Sequence, residues 1–371
     1  MPAMHRRTAL LFAAILPLAW PTLVSAASAE PPRISGPLSH ENLAIYLIHG
    51  PSESGPVPLT LAEGLAKGVV EVRETGSVNQ LEIENFGTDD VFIQSGDIVK
   101  GGQQDRVLMV SLLLPARSGK MPIGAFCVEQ GRWTRRGVED VKRFASSDAA
   151  VPSKELRLAM QAPKPASPAV AGIPSPSSPV DDPRLALTQR MQPHSPDETS
   201  SRQQDVWQNV ARAQQRLASA LGGPVASAQS ASSLQLALEN DKLAAARTAY
   251  VEALRPQAEK DDDVVGYVVA INGRLSSADI YPSNGLFRKM WAKQLAAAAT
   301  EAVAGKQDAA AAAAPASEAV QVFLADAETG KAQEKTLTAG VKLHTRDAPK
   351  TVYLETSRAS GAMLHRNYLA K

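Results

Sequence analysis

Residues 264–281 read Val264-Val265-Gly266-Tyr267-Val268-Val269-Ala270-Ile271-Asn272-Gly273-Arg274-Leu275-Ser276-Ser277-Ala278-Asp279-Ile280-Tyr281. The first run is rich in β-branched residues, and Asn272-Gly273 accepts positive φ at both central positions of a tight turn. The stretch therefore predicts a β-hairpin with a two-residue loop. Helical patterns flank it. Before it, Leu243, Ala246, Tyr250 and Leu254 recur at helical spacing, and Pro256 is expected to end that helix. After it, Ser283 caps a helix whose apolar stripe is Leu286, Phe287, Met290, Trp291 and Leu295. An earlier helix carries Val206, Val210, Ala213, Leu217 and Leu221, with Ser201 and Gln204 as its capping box and Gly222-Gly223 as its stop. A last hairpin is expected from 351–356 and 363–369 around Ser360-Gly361.

Toward the N-terminus the period changes. Residues 43–48 form an apolar strand stopped by Gly50-Pro51, and Thr60 with Glu63 reads as the capping box of a short helix ending near Lys67. Short strands are expected at 69–72, 81–84, 91–93, 106–114 and 123–129, separated by Gly, Asn and Asp. So many short strands in about 90 residues indicate an antiparallel sandwich or barrel. The fold class is α+β: a β-rich half over 40–150 and a helix–hairpin–helix half over 201–371, sharing one core. Between them, 162–200 is crowded with prolines, which remove backbone donors and fix φ, so it reads as an insertion or linker. A second insertion, alanine-rich and ended by Pro315, covers 303–318.

The first 26 residues read as a cleavable export signal. Arg6 and Arg7 supply a positive start, no acid precedes Glu30, and an apolar run spans 9–20. Small residues at Val24-Ser25-Ala26 and Ala27-Ser28-Ala29 suit a signal peptidase, so cleavage is expected near Ala26 or Ala29. The apolar run is shorter than the about 20 residues of a membrane-spanning helix, so no transmembrane segment is expected. The expected location is the periplasm or beyond. Cleavage lowers Lys+Arg from 39 to 37 against 38 Asp+Glu. Near-neutral charge argues against nucleic acid as a partner, because that affinity comes from excess cations. Cys127, the only cysteine, excludes an internal disulfide.

Two polar clusters interrupt the β-rich half. Gly96-Asp97-Ile98-Val99-Lys100-Gly101-Gly102-Gln103-Gln104-Asp105-Arg106 joins two apolar strands. Its glycines let backbone amides turn inward, Lys100 and Arg106 could meet an anion, and Gln103 and Gln104 could orient it. The alternative is a bulged connection in which Asp97 or Asp105 pairs with Arg106. The second cluster, Cys127-Val128-Glu129-Gln130-Gly131-Arg132-Trp133 with Arg135 and Arg136, ends a strand. Alternation places Phe126 and Val128 on one face and Cys127 and Glu129 on the other. With the first pair in the core, Glu129 lines the opposite surface beside Arg132 and Trp133, a trio able to grip a flat or anionic ligand. The alternative is a Glu129–Arg132 pair that ties the turn. Cys127 reads as a small buried hydrophobe rather than a nucleophile. No cofactor is named by these residues and no metal site is assigned. Asp261-Asp262-Asp263 precedes a strand as a solvated turn, and no zinc helix, paired CxxC or serine-nucleophile elbow occurs.

Taken together, Gly96-Asp97, Gly101-Gly102-Gln103-Gln104-Asp105-Arg106 and the Cys127–Trp133 run resemble the ARG and rhodanese-phosphatase-superfamily-associated protein domain family, where ARG stands for ADP-ribosylglycohydrolase. Gln204-Asp205-Val206-Trp207, residues 266–273 and 287–295 extend the resemblance toward the C-terminus. It implies candidate site residues at Asp97, Gln103, Asp105, Arg106, Cys127, Glu129, Arg132 and Trp133, and an anionic, nucleotide- or ADP-ribose-like ligand. Two functions stand open. In one, Lys100, Arg106 and Arg132 hold an anionic small molecule while Asp97 or Glu129 orients it or acts as base. In the other, the chain is a non-catalytic envelope module and both clusters are structural ion-pair networks.

Overall fold

The hairpin lies in the middle of an eight-stranded sheet. Strands and helices are numbered along the chain, and the computed structural model describes residues 32–163, 194–306 and 312–371. The export signal, most of the proline-rich insertion and residues 307–311 fall outside the described residues. The hairpin strands are β12 (Val264–Ile271) and β13 (Arg274–Ile280), and Asn272 and Gly273 take φ of 51° and 70° at the turn. The full order is β1 (Arg33–His40), β2 (Leu43–His49), β12, β13, β17 (Met363–Ala370), β16 (Thr351–Ser357), β15 (Lys342–Asp347) and β14 (Lys331–Thr336), antiparallel throughout. The first two strands of the β-rich half thus belong to the sheet of the second half.

The continuous apolar character of β2 and β12 has a cause: both faces are covered. Leu43, Ile45, Leu47, Tyr267 and Val269 enter a core with Leu286, Phe287, Met290 and Trp291 of helix α6 (Asn284–Ala304). Ala44, Tyr46, Ile48, Val265, Val268 and Ala270 enter a second core with Val320, Phe323 and Leu324 of helix α7 (Ser317–Glu328). Period-two alternation deals successive residues to two cores rather than to core and water.

The rest of the β-rich half forms a curved six-stranded sheet. Its order is β11 (Phe144–Ala150), β7 (Asp97–Gly101), β8 (Arg106–Leu108), β10 (Gly119–Cys127), β5 (Gln80–Asn85) and β4 (Val70–Glu74). An Arg73–Arg143 bridge and a 2.9 Å bond from Glu74 N to Lys142 O bring β4 back to the segment before β11, which gives a half-barrel. A small sheet of β3 (Leu59–Thr60), β6 (Val91–Ile93) and β9 (Leu112–Leu114) leads from it, through the only parallel pair among the described strands, β3 with β6. Val72, Ile83, Val107, Ile123 and Phe126 join the same core as β2, β12 and α6. The molecule is an α+β protein of antiparallel sheets and helices around that core.

Helix α1 (Leu61–Ala66) starts with the expected capping box, Thr60 with Glu63. Helix α2 (Lys154–Gln161) precedes the insertion. Helix α3 (Pro196–Ala220) starts six residues before the expected one: Ser195 Oγ accepts from Glu198 N at 3.3 Å, and Pro196 occupies the first turn, where its missing N–H costs nothing. Ser201 is therefore inside the helix, not its cap. Short α4 (Leu234–Leu238) leads to α5 (Asp241–Ala258), which runs through Pro256 instead of stopping there. Only two residues follow the proline, and the Trp291 indole donates to the Arg255 carbonyl at 3.2 Å, so that helix end is satisfied from outside. Helix α7 and the polar strands β14 and β15 at one end of the sheet escape the sequence reading. The alanine-rich run masks the one, and the others carry no strong apolar alternation.

Gly266 sits where β12 is flanked by β2 and β13, and a Cβ there would meet Asp279 O at 2.5 Å. Gly266→Ala is expected to lower stability by about 1–3 kcal/mol, because the strands must move apart; urea denaturation of the two proteins measures it.

Candidate functional site

The two predicted clusters meet through backbone pairing. Gly101 and Gly102 take φ of 113° and 55°, and a Cβ on Gly102 would fall 2.3 Å from Phe144, so the chain turns there only with glycine. The turn sets Arg106 opposite Cys127 in the β8–β10 pair, and Val128 N donates to Asp105 O at 3.1 Å. Asp105 N donates to Glu129 Oε2 at 3.1 Å. Arg136 grips Asp105 with two bonds of 2.7 and 2.9 Å, meets Glu129 at 3.5 Å and donates to Glu139 at 2.9 Å. Arg132 pairs with Glu129 at 2.7 Å and donates to the carbonyls of Gly101 and Gly102 at 3.2 and 3.1 Å. Ser233 Oγ, the cap of α4, donates to Asp105 Oδ2 at 2.8 Å.

Asp105, Arg106 and Glu129 have no solvent exposure. Arg106 donates to Gln104 O at 2.8 Å, meets Glu74 at 3.4 Å and lies 5.7 Å from the centre of the Trp133 ring. Gln103 N donates to Glu74 Oε1 at 2.9 Å. Burial alone would raise the Glu129 carboxyl, but Arg132, Ser230, the Asp105 amide and the local positive field hold it below the ordinary carboxylate value. The guanidinium of Arg136 is held above its ordinary value by Asp105 and Glu139 despite the desolvation that opposes it. Carboxylates and guanidiniums here offset one another's charge, while Glu74 Oε2, Glu139 Oε2 and the Nε atoms of Arg106, Arg132 and Arg136 are buried without a hydrogen-bond partner.

Glu129 does not line an outer surface. Alternation puts it opposite Phe126 and Val128, but both faces of β10 are covered, so all three are buried. Gln203 of α3 bonds the Cys127 backbone on both sides, at 2.9 Å to N and 2.8 Å to O, and Ser232 Oγ donates to Gln130 O at 2.6 Å. The Cys127 thiol is pushed up to about 11, first by burial, with Arg106 opposing and Glu74 and Glu129 assisting. It is a protonated, buried group at neutral pH.

The other predicted residues go elsewhere. Asp97 pairs with Lys293 of α6 at 2.7 Å and accepts from Gln94 N at 2.9 Å. Lys100 pairs with Glu239 at 2.7 Å, and Trp133 is 44% exposed. Neither Asp97 nor Asp105 is the ion-pair partner of Arg106; Glu74 is. Arg136, the hub of the network, was visible in the sequence only as one of two adjacent arginines after the corner. At the acidic triplet, His49, Asp261 and Asp263 bring ligand atoms within 4.8 Å of one another, yet Arg33 already binds both Asp263, at 2.6 Å, and His49. Asp262 pairs with Arg288 at 2.8 Å.

Beside the network lies a cavity of about 820 Å³, between the 138–150 segment and helices α4, α5 and α6. Lys100 and Glu139 line it; Asp105, Arg106, Glu129 and Arg132 do not. Most of its cations are engaged, Lys100 by Glu239 and Arg143 by Glu71 at 2.6 Å. Arg247 of α5 differs. It has a single 3.5 Å contact to Thr300 Oγ1 and no ion pair among the described residues, and burial pushes its guanidinium below its ordinary value.

The molecule is an α+β protein in which a self-neutralised ion network braces one side of a ligand-sized cavity. No helix among the described residues is long and apolar enough to cross a membrane. The chain belongs to the ARG and rhodanese-phosphatase-superfamily-associated protein domain family, whose sequence model matches residues 32–369. No curated protein and no solved structure matches it significantly.

Removing Arg136 leaves Asp105 buried beside Glu129 with one guanidinium fewer. Arg136→Ala is expected to cost about 3–5 kcal/mol of stability, whereas Lys100→Ala, which breaks a more exposed pair, costs about 1 kcal/mol or less. Chemical denaturation of both variants against wild type checks the contrast.

Proposed function

We propose that this protein binds a small anionic ligand in the cavity beside the ion network. The observation that carries the reading is Arg247, a partly desolvated cation that faces the cavity with no carboxylate partner among the described residues. A charge left this way costs stability unless a ligand completes it. The volume is within the range of small-molecule sites. Lys100, just before the Gly101-Gly102 turn, is the second candidate contact, because its bond to Glu239 is partly exposed and exchangeable. In this reading Asp105, Arg106, Glu129, Arg132 and Trp133 hold the wall in place, and Asp97 tethers α6. The family's name links it with ADP-ribosylglycohydrolases and phosphatases, which makes phosphorylated nucleosides the first ligands to try.

A melting-temperature screen with pyrophosphate, AMP and ADP-ribose tests this. A ligand at 100 times its dissociation constant adds about 2.7 kcal/mol. Arg247→Ala is expected to melt at or above the wild-type temperature while losing the ligand-induced shift. A shift retained in that variant rejects the assignment. The closed Asp105–Glu129–Arg132–Arg136 network favours the second reading, a non-catalytic envelope module, and the absence of a shift with all three ligands selects it.

We also propose that the protein is exported, on the support of the Arg6-Arg7 start, the apolar run and the small residues before Glu30. Sequencing the N-terminus of the protein recovered from the periplasm or medium is expected to begin at Ala27 or Glu30. An intact Met1 N-terminus on the cell-associated protein rejects export by cleavage.

A further inference from the structure

We propose that a second cavity, at the β12–β13 hairpin, binds a small aliphatic amine whose ammonium group is held by Glu301, independently of the Arg247 site. The cavity has a volume of about 480 Å³ and lies among the hairpin, the first turn of α2, the later turns of α3 and the last turn of α6. It shares only Thr300 with the larger cavity. Glu301, in that last turn of α6, lines it and keeps some accessible surface. Ser276 Oγ donates to Glu301 Oε1 at 3.0 Å. The β12–β13 register shifts between Val269 and Ala270, which leaves Ser276 without a cross-strand partner. A bulge of this kind re-aims a side chain, and here the Ser276 hydroxyl turns to Glu301.

No cation among the described residues forms an ion pair with Glu301. Burial first, and then Glu155, push its carboxyl up to about 7, against the Ser276 hydroxyl, the Lys154 amide and the Lys154 charge. Glu301 also stands at the carbonyl end of a 21-residue helix whose last turn has no basic residue. That end carries partial negative charge and favours a cation. The other charged groups lining the cavity are Lys154 and Glu155 of α2, Arg216 of α3 and Arg274 of β13. Arg216 is paired with Glu155 at 3.2 Å, and Arg274 is exposed, where water and salt screen it. At the Glu301 carboxyl, Glu155 outweighs the Lys154 charge, so the site favours an added cation.

The rest of the lining selects the kind of cation. Ala213, Leu217, Ile271 and Leu275 give apolar walls that suit an alkyl chain better than a hydrated ion. Glu301 and the engaged Glu155 also fall short of the six or more oxygens that calcium takes. An ammonium brings three N–H donors. The Ser276 and Thr300 hydroxyls have committed their protons, to Glu301 and to the Ala296 carbonyl, so both offer lone pairs. Glu301 supplies the counter-charge. Because only the ionised carboxyl pairs with a cation, binding below about pH 7 must displace a proton from Glu301.

The experiment titrates the full folded chain with butylamine, which stays protonated throughout, from about pH 5 to about pH 8, and follows binding by NMR. The affinity is expected to rise about tenfold per pH unit and to level off above about pH 7, as Glu301 ionises. Glu301→Gln is expected to weaken binding about tenfold or more. A carboxyl raised in the folded state costs wild type stability as the pH climbs through about 7, so this variant is expected to melt at or above wild type at the alkaline end. Butyrate and butanol serve as anionic and neutral comparisons of the same length and are expected to bind more weakly than butylamine. No butylamine binding at the alkaline end, a flat pH profile, or a folded Glu301→Gln that binds like wild type overturns the proposal. Tighter binding of butyrate overturns it too, and assigns the cavity to Arg274. If the variant fails to fold, the wild-type pH series decides alone.

Discussion

The pair of Asp105 and Arg136 sets the terms for the β-rich half. A carboxylate with no exposure is tolerated only when its charge is met at close range, and the two-bond grip of Arg136 does this. Asp105 also collects the Gly101 amide and the Ser233 hydroxyl. One side chain thereby ties the glycine turn, the corner after β10 and the cap of α4, three segments far apart in sequence. Arg132 closes the same assembly through the Gly101 and Gly102 carbonyls. Loosening any of these would leave a buried charge exposed to no partner, so the local geometry is specified by electrostatics as well as packing.

The same accounting explains why the predicted residues divide into groups. Guanidiniums in the network face carboxylates, and their field is spent within a few ångströms. Asp97 serves a different purpose, holding Lys293 of α6 against the start of β7. Arg247 stands where α5 borders the cavity, without such a counter-charge among the described residues. Residue type cannot separate these cases, because an arginine that binds a ligand and one that binds its own glutamate have the same letter. What separates them is the identity of the nearest opposite charge, which depends on chain segments that meet only after folding.

The large sheet makes a related point about hydrophobic patterning. Residues 43–48 and 264–271 are apolar without a polar face because helix α6 covers one side and helix α7 the other. The early strands β1 and β2 therefore join the late strands rather than their sequence neighbours. A division at the proline-rich insertion, natural in composition, does not correspond to a division of the core. Local signals also competed at helix ends: Ser195-Pro196 outranked Ser201 as a start, and Pro256 was accommodated because it falls within the last turn.

Sequence by itself determined the α+β class, the Asn272-Gly273 turn, the Thr60–Glu63 cap and the concentration of charged side chains in two polar clusters. These follow from rules that act over a few residues: side-chain period, φ tolerance and capping. Only the tertiary structure decided that the clusters neutralise each other, that Arg136 is their hub, and that Glu155, Ser276 and Glu301 meet at one cavity. Electrostatic partnership and cavity shape depend on distances in space, and a linear pattern does not encode which distant segments will supply the opposite charge.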